Sequence, residues 1–395
     1  MTSAVQTMPT VVSIGIVAWN EEEAIAAALQ SLFQQSLFDQ SGQRGWKIEI
    51  ICVANGCTDG TATVARRIFE EQAGIHTFKD SFSCRVVELC LRGKCNAWNA
   101  FVHQLSAREA ECLFLMDADI VIPMRDTLWN MYRVLAQDAE TNVAVDRPLK
   151  DISLKVGKSL WEKFSLSASE LTQAGDAQLT GQLYCIRAAV ARNIHLPRDL
   201  LVEDGFVQSI VCTDFLTRER SPRRIARAAN ASHVYEAYTS LRDILRNQKR
   251  QMIGQTIIHL LVDDHLKRLP LPERLDLAET LRRRDNSDPA WLKRLIADHL
   301  DRTRYFWRMF PGILSFRFKR LAKIKGARKF LCLPAAVGGF FVTLVACWIA
   351  RRALERGFTG YWPDTKSPAL KNVAANTPGS GYHHRPNATA TPGAH

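Results

Sequence analysis

The stretch Val11-Val12-Ser13-Ile14-Gly15-Ile16-Val17-Ala18, running straight into Trp19-Asn20-Glu21-Glu22-Glu23, decides the fold class. A run rich in β-branched side chains and without polar alternation matches a strand covered on both faces, as in a parallel sheet. The acids after it suit the first turn of a helix, where the macrodipole favours negative charge, and an amphipathic stretch continues to about Gln35. The same alternation recurs downstream. Residues 48–53 read as a second strand, ending in Asn55-Gly56-Cys57-Thr58-Asp59-Gly60, turn formers and caps ahead of a helix over 61–71. Residues 85–89 predict a third strand and 94–106 a helix, and strand 112–116 stops at Asp117-Ala118-Asp119. This pattern predicts a Rossmann-like α/β fold, a mostly parallel sheet flanked by helices, with ligands bound beyond the carboxyl ends of the strands.

Composition narrows the function classes. At 395 residues and 47% hydrophobic content the chain holds one large domain with additions. The net charge of +12 calls for a polyanionic partner. Much of the excess lies between Arg302 and Arg356 around one apolar run, which points to an acidic membrane surface and away from nucleic acid. The ten cysteines include no Cys-x-x-Cys pair, which argues against structural zinc and for a reducing compartment. Residues 1–10 are polar and short, so no signal peptide is expected. After the first strand, Val17-Ala18-Trp19-Asn20-Glu21 offers no Gly-x-Gly-x-x-Gly turn, which speaks against a dinucleotide oxidoreductase.

Two acidic motifs carry chemistry. Asp117-Ala118-Asp119 sits directly after an apolar strand, where two carboxylates can face a divalent ion and the diphosphate it neutralises; a solvated loop cap has the same composition. Glu203-Asp204, between Leu200-Leu201-Val202 and Gly205-Phe206, suits either a partly desolvated general base or the acidic first turn of a helix.

Five segments in this order resemble family 2 glycosyltransferases, across roughly residues 10–260. Val12 to Glu22 is similar to that family's opening strand ending in Ala-Tyr-Asn-Glu, and Ala54-Asn55-Gly56-Cys57-Thr58-Asp59-Gly60-Thr61 to its second strand end. Gly93-Lys94-Cys95-Asn96-Ala97 matches its Gly-Lys-x-x-Ala turn, Asp117-Ala118-Asp119 its DxD and Glu203-Asp204 its late acidic pair.

The resemblance implies a GT-A fold and an inverting, metal-dependent hexosyl- or N-acetylhexosaminyl-transferase using a nucleotide-diphosphate sugar, UDP-linked in the first instance. Ala18, Trp19 and Glu21 would border the nucleoside, Asn55 would reach the base, and Lys94 would lie near the nucleotide. Asp117 would contact ribose or donor sugar and serve as a second metal carboxylate, while Asp119 would hold Mg²⁺ or Mn²⁺. Asp204 would deprotonate the acceptor hydroxyl. Glu203 and Gln182, the latter in Thr180-Gly181-Gln182-Leu183-Tyr184, would line the acceptor side, although a packed strand would read the same. Arg246 and Arg250, one helical turn apart, either face the diphosphate or form a solvated basic face. Ala54 stands where many members carry Asp. Asn247-Gln248-Lys249-Arg250-Gln251 lacks the Trp of the processive synthases' Gln-x-x-Arg-Trp, so one sugar per encounter is expected.

The expected organisation is a catalytic domain at 1–262, a basic helical extension at 263–329, a transmembrane or membrane-embedded helix at 330–350 and a disordered tail at 351–395. Within these, 241–266 and 272–304 read as helical. Residues 330–350 carry no charge, enough at about 30 Å of helical rise to cross a bilayer, though Pro334, Gly338 and Gly339 also fit a re-entrant or interfacial helix. Seven basic residues over 317–329 against Arg351, Arg352 and Arg356 beyond it place the catalytic domain in the cytoplasm. The acceptor is then a lipid or a lipid-linked glycan, and ending the chain near Gly326 should raise solubility. The alternative is an inactive, membrane-anchored binding or scaffold protein on the same fold.

Overall fold

The computed structural model describes residues 10–153, 177–237, 241–302, 316–323 and 328–357. Seven strands form one sheet: β1 Val11–Ala18, β2 Lys47–Asn55, β3 Phe82–Leu89, β4 Cys112–Asp117, β5 Val143–Lys150, β6 Leu183–Arg187 and β7 Ile225–Tyr235. Their spatial order is β3-β2-β1-β4-β6-β5-β7. Strands β1 to β4 run parallel, as do β5 and β7, and β6 runs against its neighbours β4 and β5. The sheet is therefore mixed, and β1 and β4 share a central crevice where the chain reverses its direction of winding.

The helices are α1 Ile25–Phe33, α2 Leu37–Arg44, α3 Thr61–Ile75, α4 Lys94–Ala100, α5 Thr127–Gln137, α6 Ala188–Ala191, α7 Glu203–Cys212, α8 Leu241–Ile258, α9 Leu271–Leu275, α10 Leu277–Ser287, α11 Trp291–Arg302, α12 Phe316–Lys323 and α13 Arg328–Glu355. Two apolar cores cover the two faces of the sheet. Alternate strand residues such as Ile14, Ile16, Ile50 and Phe114 pack with α1, α2, α3 and α5. Their neighbours Ile51, Val53, Leu113 and Leu115 pack with α4 and α7, and this second core continues through α8, α10 and α11 into the end of α13. Gly15 is needed here: a Cβ on it would stand 2.7 Å from the Phe101 ring, which lies flat against β1.

Several expected elements change shape. Glu21, Glu22 and Glu23 precede α1 rather than open it, because Glu21 O accepts from Ala24 and Ile25 N–H in a turn ahead of the helix. The expected helix 94–106 ends as α4 at Ala100 and continues as a π-helical turn, Phe101–Leu105. Helix α8 likewise passes into π-helical His259–His265. The described part of the stretch 272–304 is three short helices, broken at Asp276 and again between Ser287 and Trp291. The apolar run expected at 330–350 extends to Glu355, so the boundary at 351 falls inside a helix; the rest of the expected tail, 358–395, lies outside the described residues.

Candidate functional site

The carboxyl ends of β1 and β2 are joined by their own loops. Asn20, in a left-handed conformation at φ 53°, donates from Nδ2 to Thr58 Oγ1 at 3.1 Å, and its Oδ1 accepts from Thr58 N–H at 2.8 Å. Glu22 Oε2 accepts from Gly60 N–H at 2.9 Å, and Asp59 Oδ2 accepts from Glu22 N–H at 3.2 Å. Glu21 N–H donates to Thr61 Oγ1 at 2.8 Å. The residues that carried the sequence resemblance here thus build the floor of the site as much as they line it. On that floor Ala18 is fully buried, and Trp19 is covered by Arg92, whose guanidinium carbon lies 3.2 Å from the ring centroid. Asn55, at the end of β2, is buried and its Oδ1 has no hydrogen-bond partner among the described residues. A buried acceptor left without a donor is costly.

Across the crevice, Lys94 opens α4 and reaches a ring of acceptors. Its Nζ lies 2.7 Å from Asp117 Oδ1, 2.8 Å from Glu203 Oε1 and 3.0 Å from Gly181 O. Burial alone would lower its pKa, but Asp117 and Glu203 outweigh that and raise it, keeping the ammonium charged. A Cβ on Gly181 would overlap Glu203 Oε1, so a side chain there would displace the carboxylate that Lys94 holds. Asp204, beside Glu203 at the start of α7, accepts from Gly181 N–H at 3.3 Å and Gly205 N–H at 2.7 Å. Burial, with Glu203 adjacent, pushes the Asp204 carboxyl up to about 6. Burial raises Asp117 to about 7 against the pull of Lys94, with Asp119 adding repulsion. Asp119 is raised too, mainly by burial, and is pulled back by Lys94, His233 and Arg250.

One buried pair escaped the sequence reading. His233 on β7 and Asp146 on β5 are both fully buried, with Nδ1 at 2.8 and 2.9 Å from the two carboxylate oxygens. The other ring nitrogen lies 3.2 Å from Gln182 Oε1, and Gln182 O accepts from Asp117 N–H at 2.8 Å. Gln182 thus lies between the histidine and the Asp117 backbone. Tyr184, by contrast, is a packed strand residue whose hydroxyl accepts from Trp98 Nε1 at 2.6 Å.

Residues 13–187 match the profile described as Glycosyl transferase family 2. This chain carries a family 2 glycosyltransferase domain. Among solved structures it is similar to the mannosyltransferase PcManGT from Pyrobaculum calidifontis in complex with GDP-Man and Mn²⁺, at 19% identity and a TM-score of 0.51, covering 89% of this chain and 88% of that one. That likeness shows the fold. Weaker matches are S. aureus TarS 1-349 in complex with UDP-GlcNAc (15% identity, TM-score 0.41, 92% and 95% covered) and glucosyl-3-phosphoglycerate synthase from Mycobacterium tuberculosis with Mn²⁺, UDP-Glc and phosphoglyceric acid (15%, 0.40, 62% and 78%). A comparison with curated proteins finds no match.

In this family 2 domain the residues after β4 fit a hard divalent cation. Asp117 and Asp119 are both held above the ordinary carboxylate range, and Asp119 repels Asp117, a repulsion that a cation would relieve. Among the described residues no three His, Cys, Asp or Glu side chains converge on one point. A divalent cation held by Asp119 and Asp117 would therefore have to take most of its ligands from phosphate and water oxygens. Arg250 on α8 is within electrostatic reach of both Asp119 and Asp204, which separates it from a simple solvated face; Arg246 is half-buried one turn earlier. Gly205 meets Ile258 of α8, where a Cβ would stand 2.6 Å from Cδ1, so the glycine lets α7 and α8 pack closely.

Proposed function

We propose that the domain transfers one sugar from a nucleoside-diphosphate sugar, UDP-linked in the first instance, to a lipid or lipid-linked glycan acceptor at the cytoplasmic face of a membrane, with inversion at the anomeric carbon. The observation that carries this reading is the Lys94 bridge, which joins Asp117 at the end of β4 to Glu203 at the start of α7 in one largely buried cluster. Ala18, Trp19 and Glu21 border the nucleoside, and the Asn55 oxygen accepts an N–H of the base. Asp119, with Asp117 beside it, would hold Mg²⁺ or Mn²⁺, which offsets the charge of a departing diphosphate when bound. Arg250, with Arg246 behind it, adds positive potential on the same side.

Lys94 pairs with Asp117 and Glu203, and Asp119 is assigned to the cation, so in this reading the remaining carboxylate, Asp204, is the base. With its pKa pushed up to about 6, it is charged at neutral pH yet basic enough to take the acceptor's hydroxyl proton. The hydroxyl oxygen bonds to the anomeric carbon as the bond from that carbon to the diphosphate oxygen breaks. The electron pair leaves with the nucleoside diphosphate. Gln182 and Glu203 lie on the acceptor side of this arrangement.

The test is a screen of the purified full chain against UDP- and GDP-sugars with Mn²⁺ and a lipid extract as acceptor. One donor should support transfer, and excess EDTA should abolish it. Absence of both hydrolysis and transfer with every donor would reject the enzymatic reading, and full activity in EDTA would reject the metal.

A further inference from the structure

Helix α13 has two apolar faces of different kinds. On one, Thr343, Ala346, Cys347, Ala350, Ala353 and Leu354 are buried, and all but Thr343 belong to the core that also holds α4, α7 and α8. These are mostly small side chains, which lets α13 lie close against α8. On the far side, Leu333, Val337, Phe341, Val345 and Trp348 recur every three or four residues as a stripe, each between 39% and 59% exposed. Phe318 of α12 is exposed too, and its ring lies 5.5 Å from that of Phe340, so the apolar surface widens at this end.

The stripe ends in cations. The Arg352 guanidinium carbon sits 4.1 Å over the Trp348 ring, and Lys319 is exposed on α12. The sequence adds Arg317, Arg320 and Lys323 on one side and Arg351 and Arg356 on the other, against the single acid Glu355, which Arg351 contacts at 2.6 Å. An apolar stripe bounded by arginine, lysine and an aromatic with a cationic cap is complementary to an anionic lipid surface.

We propose that α13 docks lengthwise on a bilayer containing anionic lipid, its Leu333 to Trp348 stripe in the acyl boundary and its opposite face seated on α8, without crossing the membrane. The window Ala336–Glu355 is long and apolar enough to span, but a third of it is buried inside the protein. The part of the helix before Thr343 rises only about 22 Å, short of the roughly 30 Å a crossing needs. A perpendicular crossing would pull Ala346, Cys347 and Ala350 off α8, whereas a side-on seat keeps both faces covered. It also brings lipid close to the chemistry. Helix α8 lies between α13 and the carboxylates, carries Arg250, and meets at Gly254 the Val202 side chain just before Glu203.

Docking needs no turnover, so its test fails separately from the glycosyl-transfer reading. Ending the chain near Gly326 would uncover α8, so point substitutions replace truncation. The purified full chain should float with preformed phosphatidylcholine vesicles containing phosphatidylglycerol, float less with phosphatidylcholine alone, and stay bound in high salt. Phe341→Ser with Val345→Ser should lower the bound fraction roughly tenfold while leaving thermal melting and nucleotide binding unchanged. On the unmodified chain, lipids brominated near the headgroup should quench tryptophan fluorescence, and Trp348→Phe should remove that quenching. Trypsin added outside sealed vesicles should cleave on both sides of α13. Equal flotation on neutral vesicles, no quenching in the unmodified chain, or protection of one end from trypsin would overturn the proposal.

Discussion

The loops after β1 and β2 and the cluster around Lys94 face each other across the crevice but are held together by different physics. In the loops, Asn20, Glu22, Asp59 and Thr61 share many hydrogen bonds between side chains and backbone, most of them exposed to solvent. Each is a net gain of only about 1 kcal/mol, and water can replace it. Around Lys94 one ammonium satisfies two carboxylates and a carbonyl in a largely buried pocket, with 15% of the Lys94 side chain still exposed. Removing one partner there leaves charges buried without compensation. The loop side is thus redundant and the Lys94 side depends on single groups, and substitutions should divide along that line.

Lys94→Ala should break the comparison most severely. It leaves Asp117 and Glu203 facing each other, and should cost about 3–5 kcal/mol in denaturant unfolding, with activity lost. Next comes Asp204→Asn, nearly isosteric, which should lower kcat by roughly a hundredfold or more without unfolding the domain. In its proposed role Asp204 works only when ionised, and its carboxyl is pushed up to about 6, so the wild-type rate should rise with pH through that value and level off above it. The Asn variant should lose this step in a pH profile. Gly181→Ala, which drives a methyl into Glu203, should cost about 1–3 kcal/mol and raise the acceptor KM more than the donor KM. Smallest is Asn20→Gly, which keeps the left-handed conformation and removes only exposed hydrogen bonds; its melting should stay within about 1 kcal/mol of wild type.

The same divide governed what could be read from the chain. Strands β1 to β4 were legible because they are apolar runs ending in turn formers, and their ends delivered the motifs that carry the family resemblance. Strands β5 and β7 were not, since β5 carries Asp146, Arg147, Pro148 and Lys150 and β7 mixes four alanines with Arg227, Asn230, Ser232 and His233. Neither shows the apolar run or the clean alternation that marks a strand. The His233–Asp146 pair joins positions 87 residues apart and has no local signal at all. Helix α13 was legible as apolar, but its division into a small-residue face for α8 and a large-residue face for solvent depends on what packs beside it.

The most direct test of separate donor and base roles is a calorimetric titration of the transferred nucleotide sugar, with Mn²⁺, into wild type, Asp119→Ala and Asp204→Asn. Donor affinity should fall by roughly a hundredfold or more in Asp119→Ala and stay within about twofold of wild type in Asp204→Asn. Unchanged affinity in Asp119→Ala, or an equal loss in both variants, would contradict the account.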